Sequence, residues 1–458
     1  MLAAQHRACR AEPCPRWSRR AAWLTAWLDL LREHDQAICT AISHDFGCRP
    51  PEETRLLELF PARQGIRHAL RHGRRWMRPR RHAAGFWFLP ARTELLPQPL
   101  GVVGIIVPWN YPLYLAVGPI TDALAAGNRV MVKMSERTPH FSALFAHLVE
   151  AAFPDGTVRV VTGDADVAKA FSALPFDHVL FTGSTAVGRE VMRAAAAHLT
   201  PVTLELGGKS PAIIGPDARF GHAVERIVHG KCVNAGQTCI APDYVLLPRG
   251  READFIAIAR RVFARMYPGF PGAGQYASLI DDRHYQRLCR LRDTAVAEGA
   301  RAFPLAASHD DAMRRMPPTV LTDMRADSAV MHEEIFGPLL PLLPYDHFDE
   351  ALDVVRADPS PLALYLFETD RARVRHTLES TAAGGVSVND TLYHIAQHHL
   401  PFGGVGASGM GAYHGETGFR TFSRMTPVFH QARFNAVGLL DPPYGARFRH
   451  LLKWLLRR

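Results

Sequence analysis

The chain has 458 residues, 47% hydrophobic and 21% charged, which is enough apolar material for two or three packed domains and excludes a disordered chain. An excess of 53 Lys and Arg residues over 44 Asp and Glu residues leaves a net charge of +9, which permits a nucleic-acid or membrane-surface partner without demanding one. The cysteines number 7 and are scattered, so they favour a reducing compartment over a disulfide framework.

We expect no targeting segment in the N-terminal region. Residues 1–20 are rich in arginine and lack an apolar stretch, so we expect no secretory signal and a cytoplasmic location. The most apolar stretch, residues 100–127, is interrupted by Pro108, Pro112 and Pro119. We therefore expect no transmembrane segment.

Two amphipathic helical patterns precede the first strand. Apolar residues recur at steps of three and four over residues 17–42, and a second pattern covers about 52–77. The second pattern ends in a run of arginines between 71 and 81, where Pro79 stops the helix. Because no stacking aromatics or docking motif accompany this run, we interpret it as solvated surface and expect no nucleic-acid partner.

Beyond Pro99, short and almost entirely apolar runs alternate with helical patterns. Such runs suit parallel strands buried on both faces, and 141–152 and 186–199 are long enough to be crossover helices. The pattern predicts an α/β fold with a doubly wound parallel sheet, which commonly carries a nucleotide. A second βα series begins at about residue 207 and ends in the glycine-rich segment 401–411. The strand candidates are 102–107, 129–133, 158–161, 178–181, 202–204 and 212–214.

Two side chains are candidates for covalent and acid–base chemistry. Cys239 follows the small, polar run Asn-Ala-Gly-Gln-Thr, and a partly exposed thiol is a useful nucleophile when its thiolate is stabilised. A lone cysteine is equally a small buried hydrophobe, which is our interpretation of Cys232. Glu205 ends an apolar strand just before two glycines, where apolar surroundings raise a carboxyl pKa and suit a general base. The alternative for Glu205 is a solvated turn residue.

Two loops are candidates for binding. The run from Phe181 through Gly183 and Ser184 to Gly188 passes from a strand through a glycine turn into a helix, whose first N–H groups attract phosphate oxygens. It lacks the dinucleotide fingerprint, so an ordinary strand-to-helix turn stays open. Asn110 lies between two prolines after an apolar strand and could donate its amide to an oxyanion, or serve as a structural loop residue.

In chain order, these segments resemble the aldehyde dehydrogenase superfamily from about residue 100 to 422. The runs at 237–244 and 409–415 resemble its class-3 branch, and the segment at 75–81 with the Ala-Gln before Leu400 is most similar to bacterial coniferyl-aldehyde dehydrogenases. The motifs are Pro-Trp-Asn-Tyr-Pro at 108–112, Lys-Met-Ser-Glu at 133–136, Phe-Thr-Gly-Ser-Thr at 181–185, Glu-Leu-Gly-Gly-Lys at 205–209, Gly-Gln-Thr-Cys at 236–239, Glu-Glu-Ile-Phe-Gly-Pro at 333–338 and Pro-Phe-Gly-Gly-Val-Gly at 401–406.

The resemblance implies a catalytic role for three residues. Cys239 would attack the aldehyde carbonyl, and the Asn110 amide with the Cys239 backbone N–H would hold the oxyanion. After hydride leaves for the nicotinamide, Glu205 would deprotonate the water that hydrolyses the thioester to the acid. Asn389 matches a family asparagine near the active site. The resemblance implies no metal.

The resemblance also implies an NAD cofactor, with NADP left open because class-3 relatives often accept both. Lys133 and Glu136 would bind the adenosine ribose, and the carboxylate of Glu136 would repel a 2′-phosphate. The turn from Gly183 to Gly188 would lie under the pyrophosphate. Glu334 would bind the nicotinamide ribose, and Phe336 would back the nicotinamide ring.

The sequence departs from the family at two places. Met134 replaces the usual proline, which removes a fixed φ and leaves the path toward the adenosine ribose less constrained. His398 and His399 stand where coniferyl-type relatives usually carry acidic residues, and they either alter specificity or are exposed loop histidines. We expect a bulky aromatic aldehyde such as coniferyl aldehyde, or a long unsaturated one. Tyr111 and Tyr114 could line its pocket, although aromatic residues here are as often core.

The resemblance divides the chain into domains and implies a homodimer. The tail contains a basic amphipathic helix at 447–458, for which packing on a partner subunit is favoured over weak attachment to a membrane surface. The predicted units are a dinucleotide-binding domain at 1–92 and 100–206, a catalytic domain at 207–417, a bridging and oligomerisation element at 93–99 and 418–428, and a tail at 429–458.

Three other functions stay open. A relative that passes the acyl group to coenzyme A has less need of a water-activating base, so Glu205 argues against it. A catalytically silent structural or surface-binding homologue conflicts with the joint presence of Cys239, Glu205, Asn110 and Lys133. A cysteine hydrolase would need a histidine base near the thiol, and no motif places one there.

Overall fold

Helices and strands alternate along most of the chain. The computed structural model describes residues 1–325, 327–357, 360–435 and 437–456. The helices are α1 (Leu2–Ala11), α2 (Trp17–Glu33), α3 (Asp35–Phe46), α4 (Pro51–Thr54), α5 (Phe60–Trp76), α6 (Tyr114–Ala126), α7 (Pro139–Ala152), α8 (Ala165–Ser172), α9 (Thr185–Ala196), α10 (Phe220–Cys232), α11 (Glu252–Met266), α12 (Asp282–Ala297), α13 (Ala329–His332), α14 (Phe348–Ala357), α15 (Arg371–Ser380), α16 (Gly415–Thr421) and α17 (Ala446–Leu455). The strands are β1 (Arg80–His82), β2 (Arg92–Pro99), β3 (Val102–Ile106), β4 (Arg129–Lys133), β5 (Val158–Val161), β6 (His178–Thr182), β7 (Val202–Glu205), β8 (Pro211–Ile214), β9 (Tyr244–Pro248), β10 (Arg301–Pro304), β11 (Thr319–Thr322), β12 (Leu339–Tyr345), β13 (Ala363–Phe367), β14 (Gly385–Val388), β15 (Gly409–Met410) and β16 (Ser423–His430).

Each of the two N-terminal helical patterns divides. The pattern over 17–42 forms α2 and α3, because the backbone of His34 leaves the helical region between them. The pattern over 52–77 forms α4, a π-helical turn at Arg55–Leu59 and α5. This turn carries Glu58, which is fully buried.

The predicted doubly wound sheet is six-stranded, in the order β15-β7-β6-β3-β4-β5. Its strands pair in parallel except for β15, which is antiparallel to β7. Every residue of β3 and β6 is buried, as expected of strands covered on both faces. The α/β fold class is therefore confirmed.

A seven-stranded sheet follows, in the order β10-β11-β12-β9-β8-β13-β14. Only the β10–β11 pair is antiparallel among its described pairings. The strand candidate at 212–214 is part of β8 and belongs to this second sheet. The chain passes from one sheet to the other between Glu205 and Pro211, across the glycine pair of the Glu-Leu-Gly-Gly-Lys motif.

The glycine-rich segment returns to the first sheet. In β15, Gly409 pairs with Glu205 and Met410 with Leu204. Gly409 has a positive φ, and a Cβ there would collide with the Leu204 carbonyl oxygen, so glycine permits this pairing. A segment that we predicted to end the second series therefore contacts the strand that carries the candidate base.

A small antiparallel sheet of β1, β2 and β16 lies outside the two larger sheets. β2 and β16 pair along their whole length, so the predicted bridging ranges 93–99 and 418–428 meet here, with Gly418 to Thr421 in α16 instead. The predicted tail helix is α17, and Arg457 and Arg458 lie outside the described residues. Within the described ranges, every helix falls short of the length and apolar character needed to cross a membrane.

Candidate active site

A cavity of about 790 Å³ lies at the carboxyl ends of β3, β4, β6 and β7. Ligand sites of open α/β sheets gather at this end of the strands. The cavity brings together nine of the predicted catalytic and cofactor residues: Asn110, Lys133, Glu136, Gly183, Ser184, Glu205, Cys239, Glu334 and Phe336.

Cys239 follows a tightly folded loop. The 3-10 turn Val233–Gly236 ends α10, and Asn234 and Ala235 both have positive φ. The Asn234 amide donates to the carbonyl oxygens of Asn110 (3.0 Å) and Gln237 (3.1 Å). These bonds fix the loop, so the Cys239 thiol lies at the cavity wall, 3.7 Å from Oε1 of Glu205.

Glu205 is held at the end of β7 with only 1% of its surface exposed. Its Oε2 accepts hydrogen bonds from the hydroxyls of Thr182 and Tyr413, each 3.1 Å away. Burial raises the pKa of Glu205 to about 7, against the partial opposition of these hydrogen bonds. The carboxyl group is therefore poised to exchange a proton near neutral pH.

The surroundings of Cys239 favour the protonated thiol. Burial, followed by the nearby carboxylates of Glu205 and Glu334, raises the pKa of the thiol well above its usual range. A thiolate nucleophile therefore requires a base, and Glu205 is the carboxylate to which the thiol donates. Cys232 is buried at the end of α10 with a raised pKa, as expected of a cysteine that only fills space.

The side-chain amide of Asn110 is buried beside the loop that precedes Cys239. Nδ2 donates one N–H to the Gln237 carbonyl oxygen at 3.2 Å, and the same nitrogen carries a second N–H. The backbone oxygen of Asn110 accepts from Nη1 of Arg49, which also donates to Glu58 at 2.6 Å. Glu58 in turn accepts the backbone N–H groups of Leu113 and Tyr114. Sequence reasoning missed this fully buried ion pair, because no motif contains either partner.

The predicted substrate residues Tyr111, Tyr114 and Asn389 are not among the described residues that line the cavity. The Tyr111 hydroxyl lies 2.7 Å from Oγ1 of Thr238, one residue before Cys239. The Tyr114 hydroxyl donates to the Ile395 carbonyl oxygen at 3.4 Å. Asn389 exchanges two hydrogen bonds with the backbone of Glu368, joining the ends of β13 and β14. All three side chains use their polar atoms in contacts within the protein, Tyr111 and Tyr114 from buried positions and Asn389 from a half-buried one.

Lys133 and Met134 are more constrained than the sequence suggests. Nζ of Lys133 donates to the carbonyl oxygens of Met134 (2.7 Å) and Gly163 (2.8 Å) and lies 4.0 Å from the carboxylate of Glu136. The Met134 N–H donates to the Val161 carbonyl oxygen at 3.0 Å, a bond that proline cannot make. The expectation of a looser path is therefore wrong, because this bond prolongs the pairing of β4 with β5.

The glycine turn starts α9. Ser184 caps the helix by accepting the Val187 N–H at 3.4 Å, and Gly183 and Ser184 line the cavity. Gly188 is not among the lining residues described. A Cβ on Gly188 would lie 2.6 Å from Cδ2 of Leu206, so this glycine lets α9 pack closely on the chain that follows β7.

A buried ion pair positions Glu334 and Phe336. Lys209 pairs with Asp243 and donates to the carbonyl oxygens of Val330 and Glu333, both at 3.0 Å. Asp243 accepts the Ile335 N–H at 3.0 Å. The segment between these bonds presents Glu334 to the cavity and sets the Phe336 ring edge-on to Trp109, with centroids 5.4 Å apart.

Glu334 fits the sugar of a dinucleotide. Its Oε1 is buried and has no hydrogen-bond partner among the described residues, and burial raises the pKa of this carboxyl to about 8. A buried acceptor without a donor is costly, and a ribose hydroxyl would supply that donor. A Cβ on Gly207 would collide with the same carboxylate, so the glycine makes room for it.

Comparisons with known proteins agree with this geometry. Residues 3–428 match the model of the aldehyde dehydrogenase family. A Pseudomonas aeruginosa protein named "Probable coniferyl aldehyde dehydrogenase" is 49% identical over 100% of this chain and 96% of its own. Staphylococcus aureus AldH in a substrate-bound state has a TM-score of 0.94 at 34% identity, covering 99% of this chain and 98% of that one. The NAD+ complex of a Bacillus cereus aldehyde dehydrogenase has a TM-score of 0.85 at 26% identity, covering 94% and 88%.

The predicted resemblance is confirmed, and relatives named as members of aldehyde dehydrogenase family 3 match as well. NAD-bound structural neighbours support dependence on NAD(P). The chain belongs to the aldehyde dehydrogenase family and is an enzyme that oxidises an aldehyde to the carboxylic acid.

Proposed function

We propose that the chain oxidises a bulky aromatic aldehyde of the coniferyl aldehyde type, with Cys239 as the nucleophile and Glu205 as the general base. The observation that carries the mechanism is the 3.7 Å contact between the Cys239 thiol and the Glu205 carboxylate in the cavity wall. The substrate class rests on the name of the Pseudomonas aeruginosa relative.

In the first half-reaction, Glu205 accepts the thiol proton as Cys239 attacks the aldehyde carbon. The thiol needs this help because its pKa is raised well above its usual range. Charge then develops on the aldehyde oxygen. The free N–H of the Asn110 amide and the Cys239 backbone N–H are the donors we propose for that oxyanion.

The cofactor side of the cavity is proposed to hold NAD. Lys133 and Glu136 would take the adenosine ribose, the turn at Gly183 and Ser184 the pyrophosphate, and Glu334 the nicotinamide ribose. Bound NAD(P) supplies the hydride acceptor that the oxidation requires. The carboxylate of Glu136 would repel a 2′-phosphate, so NAD is preferred over NADP.

In the second half-reaction, after Glu205 has released the thiol proton to solvent, its carboxylate deprotonates a water that hydrolyses the Cys239 thioester, and this second proton passes to the departing sulfur of Cys239. Thr182 and Tyr413 hold the carboxylate through one of its oxygens, which leaves the other facing the sulfur and any water beside it. A carboxylate that is held in position to activate water favours hydrolysis over acyl transfer to coenzyme A.

We also propose a homodimer built on the sheet of β1, β2 and β16, together with the domain division given above. The aromatic residues Phe86, Trp87 and Phe88 beside this sheet are exposed in the single chain, and the ring of Trp87 packs edge-on against Trp454 of α17. An exposed aromatic surface of this kind favours burial against a second copy, which supports assembly here. The seven cysteines are free, which supports a reducing, cytoplasmic location.

NADH absorbance with a panel of aromatic, terpenoid and aliphatic aldehydes tests the proposal. We expect turnover to favour aromatic aldehydes and to vanish in Cys239→Ala, while Cys289→Ala, which removes a partly buried thiol outside the cavity, keeps it. Equal turnover in Cys239→Ala contradicts the mechanism. Preference for aliphatic aldehydes contradicts the substrate class alone.

A further inference from the structure

Three histidines converge outside the active-site cavity. His68 and His72 lie on α5, and His399 lies on the segment that leads to Phe402. One ring nitrogen of each residue lies within 4.8 Å of those of the other two. The ring centroids are 4.6 Å apart for His68 and His72, and 4.4 Å apart for His68 and His399.

The fold brings these rings together for simple reasons. His68 and His72 are four residues apart on a helix, so their side chains lie on the same face one turn apart. The following turn carries Trp76, whose ring packs 5.5 Å from His68 and 6.3 Å from His72 and fixes that face. His399 reaches the same face from the other side, and its exposed ring leaves the cluster open to solvent.

Another close histidine pair shows the contrast. His44 and His140 have ring nitrogens 3.3 Å apart, but Nδ1 of His140 lies 2.8 Å from the Asp45 carboxylate. That nitrogen is used in a pairing with an anion. The His68 cluster instead offers three imidazoles without a carboxylate among them.

We propose that His68, His72 and His399 bind a divalent transition-metal ion, with Zn²⁺ as the best match. Imidazole nitrogens suit zinc, copper and nickel, whereas calcium and magnesium require oxygen ligands. Zinc–nitrogen bonds of about 2.0–2.1 Å place tetrahedral ligand atoms roughly 3.3 Å apart. The nitrogens must therefore approach by at most about 1.5 Å, a distance on the scale of side-chain rotation, and the exposed His399 is the least buried of the three.

The fourth position of this site is open. His398 is not one of the three ligands: its ring centroid lies 6.0 Å from that of His68 and 6.1 Å from that of His414, and its side chain is hydrogen-bonded to the Pro61 backbone. Arg71 and Arg75 carry positive charge near the rings. Three neutral ligands and these guanidinium groups leave the site positively charged, so the open position favours hydroxide or a carboxylate ligand.

The test is a calorimetric titration of the chelator-treated full chain with Zn²⁺. The titrated chain carries Cys239→Ala, so that the active-site thiol does not compete for the ion. We expect one saturable site, and we expect His399→Gln to weaken binding by about tenfold or more, since even an outer-shell change costs about 10–100-fold. His376→Gln is the matched control, because His376 is an exposed histidine that pairs with Asp349 elsewhere.

Two further readouts complete the experiment. Co²⁺ should give the visible absorption of a tetrahedral complex with the parent chain, and His399→Gln should lose that absorption. His72→Gln repeats the test from the helix, with thermal melts to show that each variant is folded. The proposal is overturned if the parent shows no saturable Zn²⁺ binding, or if the folded His399 and His72 variants bind as tightly as His376→Gln.

Discussion

The proton affinity of Glu205 should set the pH dependence of the enzyme. Burial raises the pKa of this carboxyl to about 7, and the base that we propose acts in its ionised form. The carboxylate fraction is then about one tenth at a pH one unit below the pKa and about nine tenths one unit above it. We therefore expect kcat/KM to rise about tenfold across this range and to level off on the alkaline side.

Tyr413→Phe should move the rise in kcat/KM to higher pH. The Tyr413 hydroxyl donates to Oε2 of Glu205 at 3.1 Å and so favours the carboxylate. A hydrogen bond to a charged group contributes about 1.5–3 kcal/mol, which corresponds to roughly one to two pKa units. We expect the midpoint to rise by about one unit, with the alkaline plateau largely kept.

The assay is NADH formation at low aldehyde concentration, followed from acid to alkaline pH in the parent and in two variants. Tyr276→Phe is the matched control, because the hydroxyl of Tyr276 is also buried but has no hydrogen-bond partner among the described residues. An unchanged midpoint in Tyr413→Phe refutes the reasoning. An equal shift in Tyr276→Phe refutes it as well, because the effect would not depend on contact with Glu205.

Four further changes have expected outcomes. Glu205→Gln should abolish the initial burst of NADH in stopped-flow experiments as well as steady turnover, a loss of about 10²–10⁴-fold, and an intact burst would restrict the base to deacylation. Arg49→Met should lower the free energy of unfolding in urea by about 3–5 kcal/mol by leaving its carboxylate partner buried and unpaired, whereas the exposed Arg32→Met should change it by less than about 1 kcal/mol. Lys209→Met should raise the KM for NAD by about tenfold and the KM for aldehyde by less. The reason is that the segment bearing Glu334 and Phe336 loses the hydrogen bonds from Lys209 that hold it in place. Glu136→Gln should narrow the preference for NAD over NADP by about fivefold in kcat/KM, the scale of an exposed charge pair.

The sequence was most informative where chemistry lies at strand ends. Asn110, Glu205 and the turn at Gly183 each follow a run of apolar residues, and parallel strands bring their carboxyl ends to one edge. Motifs that are far apart in the chain therefore meet in one cavity. The fold class followed from the same alternation of apolar runs and helical patterns.

Contacts between distant segments could not be predicted in this way. Tyr413 belongs to the quoted class-3 run, yet only the antiparallel return of β15 shows that its hydroxyl reaches Glu205. Arg49 lies in the connection between α3 and α4 and Glu58 in the π-helical turn, where a charged residue is usually solvated, so only the structure shows that both are buried. His68 and His399 are linked by no spacing rule. Met134 departs from the family motif, but its N–H donates to the Val161 carbonyl oxygen of β5, and only the pairing register of the strands shows this.

The contact between Tyr413 and Glu205 also provides a way to couple the binding of a proton by Glu205 to the binding of the aldehyde. Tyr413 lies on the segment between Phe402 and α16, whereas Glu205 ends a strand of the cofactor sheet. Any aldehyde that displaces this segment changes the proton affinity of the base. By thermodynamic reciprocity, protonation of the base must then change the affinity for that aldehyde by the same factor. Aldehydes that displace this segment to different extents should therefore have different pH optima with the same enzyme.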